Sequence, residues 1–248
     1  MNNGRLVGRV VSVDRLSERE VAEMYVVFSR LYENVNEPVF TADLEEKDWV
    51  LLLREGASGP IRGFSTILYV ETSVHGEELG VVFSGDTGID PAYWGGQALV
   101  KAWAQFAGEL KAQHPSRRLF WFLISKGYRT YLYLPLFFHK FYPRLDTPTP
   151  AFEQALINTL GTMKYPDHFN PETGVIEFDR SHGNLKPLVA ETPSYRREHS
   201  HVRFFLEKNP GYGQGNELVC VAEISAENMK GLARRMLIEG GRLLAVAS

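Results

Sequence analysis

The chain has 248 residues, 44% hydrophobic and 23% charged, which is enough length and apolar content to bury a hydrophobic core in one large domain or two small ones. A formal net charge of −3 gives no overall positive field for phosphate backbones, so nucleic acid is not an expected partner. Cys220 is the sole cysteine, residues 1–5 lack a secretory leader, and the apolar runs are too short for a bilayer span, so no intrachain disulfide and a cytoplasmic location are expected.

Taken in order, residues 10–13 read as a short strand, and Ser17 with Glu20 three residues on forms a capping box. A helix should follow, because Val21, Met24, Tyr25, Phe28, Leu31, Tyr32 and Val35 recur at helical spacing. Residues 49–53 and 61–72 read as the two strands of a hairpin, bounded by Gly56, Gly59 and Pro60. A third strand over residues 79–83 runs into Ser84-Gly85-Asp86-Thr87-Gly88-Ile89, where two glycines invite a bulge or close backbone approach. Asp90-Pro91 ends it. Leu99, Ala102, Trp103, Phe106 and Leu110 then mark a helix. Residues 119–124 are apolar on both faces, as in a covered central strand. Residues 128–142 are aromatic and helical in character, with Pro135 starting, kinking or dividing the helix.

Composition changes after Pro143, so residues 1–145 and 146–248 form two parts, the second completing the first sheet or making a further lobe. It reads as a helix carrying Phe152, Ala155, Leu156 and Leu160, a strand at 175–178, a charged Pro-rich loop, a strand at 218–224 and a helix capped near Ser225.

The chemistry centres on Tyr93-Trp94-Gly95-Gly96-Gln97, a glycine turn opening a helix. Such a turn presents unpaired N–H groups, and the helix dipole favours anions, so a pyrophosphate can bind without lysine. The order of elements together with Asp90-Pro91-Ala92-Tyr93-Trp94-Gly95-Gly96-Gln97-Ala98-Leu99 resembles the GNAT superfamily of N-acyltransferases over about residues 6 to 143. That resemblance implies an α/β fold with a mixed, mostly antiparallel sheet flanked by helices. It also implies acyl-CoA as co-substrate, held by Trp94, Gly95, Gly96, Gln97 and Ala98 with the strand end at Thr87, Gly88 and Ile89. Gln97 stands where the second spaced glycine is usual, which leaves an acyl carrier protein donor open.

The implied reaction passes the acyl group to an amine of a small molecule or peptide. On the resemblance, Asp86 is the proton acceptor, with its own turn as the alternative bonding partner, and N–H groups near Thr87, Gly88 and Ile89 meet the oxyanion. For the leaving thiolate, Tyr128, Tyr131, Tyr133 and Tyr142 compete; Tyr133 is chosen, with His139 as substitute. Residues 131–138 could line an acyl tunnel or fill the core, and Lys126 and Arg129 could meet a phosphate or stay in solvent. His168, His182, His199 and His201 lack ligand spacing, so no metal is expected. The competing readings are an N-acyl amino acid synthase-like enzyme taking long chains from a carrier protein, and a non-catalytic acyl-CoA sensor.

Overall fold

The computed structural model describes residues 5–178 and 183–247. In chain order the elements are β1 (Leu6–Ser12), α1 (Glu18–Leu31), β2 (Tyr32–Glu33), α2 (Glu37–Glu45), β3 (Trp49–Glu55), β4 (Ile61–Val74) and β5 (Glu77–Ile89). Next come α3 (Ala98–Gln113), β6 (Arg118–Ser125), α4 (Tyr128–Tyr131), α5 (Tyr133–Phe137), α6 (Ala151–Lys164), β7 (Phe169–Asn170) and β8 (Val175–Ile176). The last are β9 (Asn184–Leu185), α7 (Pro187–Ala190), α8 (Ser194–Arg197), α9 (Ser200–Lys208), β10 (Glu217–Glu223) and α10 (Gly231–Ala247).

Eight strands form one sheet in the order β1-β3-β4-β5-β6-β10-β8-β7, and β2 pairs β9 apart from it. Every ladder of the large sheet is antiparallel except β5 with β6. This is the mixed, mostly antiparallel sheet expected from the sequence. One face is covered by α3, α4, α5, α9 and α10 around Trp103, Trp121, Tyr131, Phe138 and Phe205. The other carries α6 over Phe83, Phe120 and Phe122, and α1 with α2 over Phe28, Phe40 and Phe64.

Local chemistry explains most boundaries. The Ser17–Glu20 capping box opens α1: the Ser17 N–H donates to Glu20 Oε2 at 3.0 Å and the Glu20 N–H to Ser17 Oγ at 3.3 Å. The helix stops at Leu31, so Val35 lies beyond it, after Asn34 in the left-handed region at φ 59°. Asn36 then caps α2, its Oδ1 accepting the Val39 N–H at 3.0 Å. Pro135 has no N–H for the Tyr131 carbonyl, and the expected helix over residues 128–142 is instead two short ones that end at Phe137.

The second half departs further from expectation. Its strand at 218–224 is β10, but the strand at 175–178 keeps only Val175 and Ile176 in the ladder. The charged loop contains α9, whose Val202, Phe204 and Phe205 are buried. Ser225 caps a turn, accepting the Asn228 N–H at 3.2 Å, and the last helix begins only at Gly231.

That helix lies against α3 with almost no space between backbones. A Cβ at Gly108 would collide with the Leu237 carbonyl, and one at Gly240 with the Gln105 carbonyl. Gly240→Val should therefore cost at least about 1–3 kcal/mol of stability, the usual penalty of overpacking. Denaturant unfolding of the variant checks this; an unchanged midpoint would mean that α10 does not dock on α3 in this way.

Candidate active site

The site is built on an irregularity in β5. Ile67 pairs Ser84 and Ser65 pairs Thr87, so Gly85 and Asp86 together oppose Thr66. The expected bulge is there. Before it, Val82 and Ser84 face α3, while Val81 and Phe83 face α6. Simple alternation would turn Asp86 onto Ser84's side, among tryptophans. The extra residue returns Thr87 to that side, where its hydroxyl lies 2.7 Å from Ser65 Oγ, and sends Asp86 towards α1 and α2. Gly85 is needed for fit: a Cβ would lie 2.6 Å from Thr66 Oγ1 and 3.1 Å from Lys47 Cε.

At the same point β6 leaves. The parallel ladder ends at Ser84 paired with Leu123, while β5 continues to Ile89 on β4 alone. Because the Asp90 N–H bonds the Arg62 carbonyl at 2.8 Å, alternation points the N–H and C=O of Thr87 and Ile89 into the gap. Their carbonyls confirm it: Tyr32 Oη donates to Thr87 O at 3.4 Å and Trp94 Nε1 to Ile89 O at 2.8 Å.

Three hollows meet at this gap. A cavity of about 390 Å³ lies on the α1–α2 side, with Tyr32, Asp43, Asp86, Lys126, Tyr165 and Glu217 on its walls. A groove of about 260 Å³ opens at the strand edge, beside Thr87, Ile89, Trp94, Gly95, Arg129 and Tyr133. A smaller apolar pocket of about 50 Å³ lies behind Ser84, towards α3 and α10. Thr87 and Thr130 line all three.

Burial is the main reason that the Asp86 carboxyl is pushed up to about 7, followed by the nearby charge of Asp43. Glu217 adds to the rise, and Lys126 and Lys47 oppose it. Both lysines are engaged with other carboxylates: Lys126 Nζ is 3.2 Å from Glu217 Oε1, and the buried Lys47 Nζ is 2.8 Å from Asp43 Oδ2. Burial, with Asp86 and Glu217 nearby, also drives the Tyr32 phenol up, so it stays protonated. Burial does the same at Tyr133.

The glycine turn is more self-contained than the sequence implies. Gly95 takes φ 82°, a value that glycine alone adopts easily, but the Gly96 N–H is used inside the turn, on Tyr93 O at 3.2 Å. The open donors lie one step on: Gln97 makes no side-chain cap, and the N–H groups of Ala98, Leu99 and Val100 have no partner within α3. Trp94, Gly95 and Gly96 separate the strand-edge groove from a larger one, about 820 Å³, that runs along β1 past Arg5, Gln97, Ala98 and Lys101. Gly88 is buried against α1 and lines neither groove.

Other candidates are dispersed. His139 is exposed, its N–H on Asn228 O at 2.8 Å, and it borders a separate hollow with Lys140 and Tyr142. The cause is the extended Phe138, which bridges to Met229 and carries the chain away from the gap. Tyr131 donates to Pro143 O at 3.0 Å within the core, and Tyr142 packs on the α6 side; only Tyr128 and Tyr133 of the four reach the groove. Arg129 stacks on Trp94 at 4.6 Å with Arg196 in the same groove, whereas Lys126 turns into the acidic cavity. Among the described residues no cluster of His, Cys, Asp or Glu is placed to hold a metal; His182 lies outside them. No helix of the described residues is long and apolar enough to cross a membrane. Tyr32, Asp43 and Glu217 are site residues that sequence reading missed.

No protein-family model matches the chain, and no curated protein matches it in sequence. Among solved structures it is similar to a probable N-acyltransferase of Enterococcus faecalis, at 14% identity and TM-score 0.40 over 54% of this chain, and it spans only 33% of that protein's length. It is similar to the GNAT family N-acetyltransferase YhbS of Escherichia coli in complex with CoA, at 18% identity and TM-score 0.38, covering 54% of this chain and 69% of that one. A Trypanosoma brucei acetyltransferase matches at 16% identity and TM-score 0.40 over 58% of this chain and 99% of its own.

The raised Asp86 carboxyl has a consequence for stability. The folded chain keeps a proton that the unfolded chain releases near 3.8, so stability at this position is full below that value and is lost as pH rises to about 7. Asp86→Asn should melt close to the parent at pH 4 and several degrees above it at pH 8. A melting difference that does not change with pH would place the carboxyl in water.

Proposed function

We propose that the protein transfers an acyl group from a thioester, acyl-CoA, to an amine of a small molecule or peptide, with Asp86 as the general base. The observation that carries this reading is the meeting of the Asp86 bulge with the open Thr87–Ile89 edge where β5 and β6 part. The sequence resemblance to the GNAT superfamily supports it from the glycine turn.

The thioester arm lies in the strand-edge groove, where the Thr87 and Ile89 backbone can pair with amides of the donor. Phosphates at its outer end face the Trp94-Gly95-Gly96 turn and Arg129 with Arg196, while the open N–H groups of α3 lie across the turn in the larger groove. The amine enters from the cavity on the other side of β5 and attacks the carbonyl carbon as a neutral nucleophile. Asp86 takes the proton that the nitrogen sheds on forming the C–N bond. The Thr87 N–H is placed to stabilise the oxyanion, and collapse breaks the C–S bond. The thiolate takes a proton from Tyr133, which burial keeps protonated until then, and the proton left on Asp86 returns through solvent to restore the phenol. The products are an amide and a free thiol.

A general base near 7 works best at neutral pH, and this one is deprotonated only above that value. With purified protein, a panel of amines and acetyl-CoA, kcat/KM should rise with pH through about 7. Asp86→Asn should lower kcat by about a hundredfold or more with little change in donor affinity by calorimetry. Equal rates for parent and variant at every pH would remove Asp86 from the chemistry. Donor binding without any amide formed would favour the sensor reading.

The turn is tested separately. Gly95→Asp sets a carboxylate beside the phosphate position at a site where a Cβ meets no atom, but the positive φ strains any side chain. Gly95→Ala carries the same strain without the charge. Donor affinity should fall at least tenfold further in the aspartate variant than in the alanine variant, at equal melting temperature; equal affinities would make the turn only a connection.

A further inference from the structure

The aromatic residues 131–138 read in the sequence as either tunnel or core, and the structure divides them. Tyr131 and Leu134 are core and Leu136 is exposed, while Tyr133, Phe137 and Phe138 line the small apolar pocket behind the gap. Its other walls are Trp103, Trp121, Met229 in the turn before α10, and Ala233 in the first turn of α10.

The hydroxyls of Ser84, Ser65 and Thr87 at its mouth are already paired, and the rest of the lining is mostly hydrocarbon. Trp103 Nε1 and Trp121 Nε1 both donate to Ser84 Oγ, at 3.2 and 2.9 Å, and Ser65 shares a bond with Thr87. The two indoles lie 4.6 Å apart and Trp121 packs on Phe138 at 5.6 Å, so the walls are braced. Thr87 and Thr130 are shared by the pocket, the groove and the cavity, and the thioester carbonyl is placed there by the reading above.

We propose that this pocket takes the acyl tail of the donor and admits only short, unbranched acyl groups, with Met229 and Ala233 as the residues that set the limit. The inference rests on the acyl-transfer reading. A volume of about 50 Å³, at roughly 10–15 Å³ for each water-sized occupant, holds about three to five such groups. That matches acyl groups up to about five carbons and excludes the long chains of the carrier-protein alternative. A dry, apolar lining favours methylenes and rejects polar acyl groups. The C-terminal half thereby acquires a part in donor choice, because α10 is held on α3 by the Gly108 and Gly240 contacts.

The test is a series of CoA thioesters, acetyl, butyryl, isobutyryl, hexanoyl and octanoyl, assayed with the parent, Met229→Ala and Ala233→Leu. For the parent, kcat/KM should drop at least about tenfold between butyryl and hexanoyl, and isobutyryl should fall below butyryl. Met229→Ala should move the drop to longer chains, and Ala233→Leu should lower the butyryl-to-acetyl ratio about tenfold. If Ala233→Leu does not fold, the enlarging variant still decides. Parent turnover of octanoyl as fast as acetyl, or variants that change every donor by one factor, would overturn the pocket assignment and leave acyl transfer standing. Failure of the parent to form amide from any thioester would overturn acyl transfer itself, and the pocket assignment with it.

Discussion

The whole site depends on one extra residue in β5. A strand that keeps its pairing on one side while losing it on the other must expose a polar edge, and here that edge is Thr87 to Ile89. Without Gly85 and Asp86 sharing the place opposite Thr66, the carboxylate would point at Trp103 and Trp121 in a dry core, where an unpaired charge is very costly. The bulge reverses the alternation for the rest of the strand. It puts Asp86 and Thr87 on opposite faces, so β5 becomes a partition with a buried carboxyl on one side and an apolar pocket on the other.

The partition is completed by parts of the chain far away in sequence. β10 places Glu217 beside Lys126 at the end of β6, where β10 and β6 are still paired through Leu218 and Ser125. Tyr165 and Phe178 close the acidic cavity from beyond α6, and Arg196 faces the groove from α8. The β7, β8 and β10 strands continue the sheet begun by β1, β3, β4, β5 and β6, so the compositional change after Pro143 marks no break in the sheet. The segment from 6 to 143 supplies the strand edge and the glycine turn, and the remainder supplies walls.

How much could be read from the sequence follows from how local each signal is. The capping box at Ser17 and Glu20, the two glycines flanking Asp86, and the missing N–H of Pro135 all act within a few residues, and each marked its boundary or bulge. Tyr32 looked like one more apolar position of α1, since nothing nearby announces that its hydroxyl reaches the Thr87 carbonyl. Asp43 and Glu217 meet Asp86 only through the docking of α2 and the pairing of β10, which no spacing encodes. In α9, charges surround Val202, Phe204 and Phe205 so closely that the segment passed for a loop. His139 misled because Phe138 leaves the helix, an effect of its bridge to Met229 and not of its neighbours.

The electrostatics of the cavity turn on which charges are already taken. Two lysines stand within reach of Asp86, and either one paired with it would hold its carboxyl low and make it useless as a base at neutral pH. Asp43 binds Lys47 and Glu217 binds Lys126, so the cations are held by the neighbours and Asp86 feels burial and residual negative charge. On the proposed reading, the ammonium loses its first proton to solvent, and ionised Asp86 receives the second, the one that the nitrogen sheds on forming the C–N bond. On that reading the pairing of Lys47 with Asp43 and of Lys126 with Glu217 keeps the Asp86 carboxylate available to the amine.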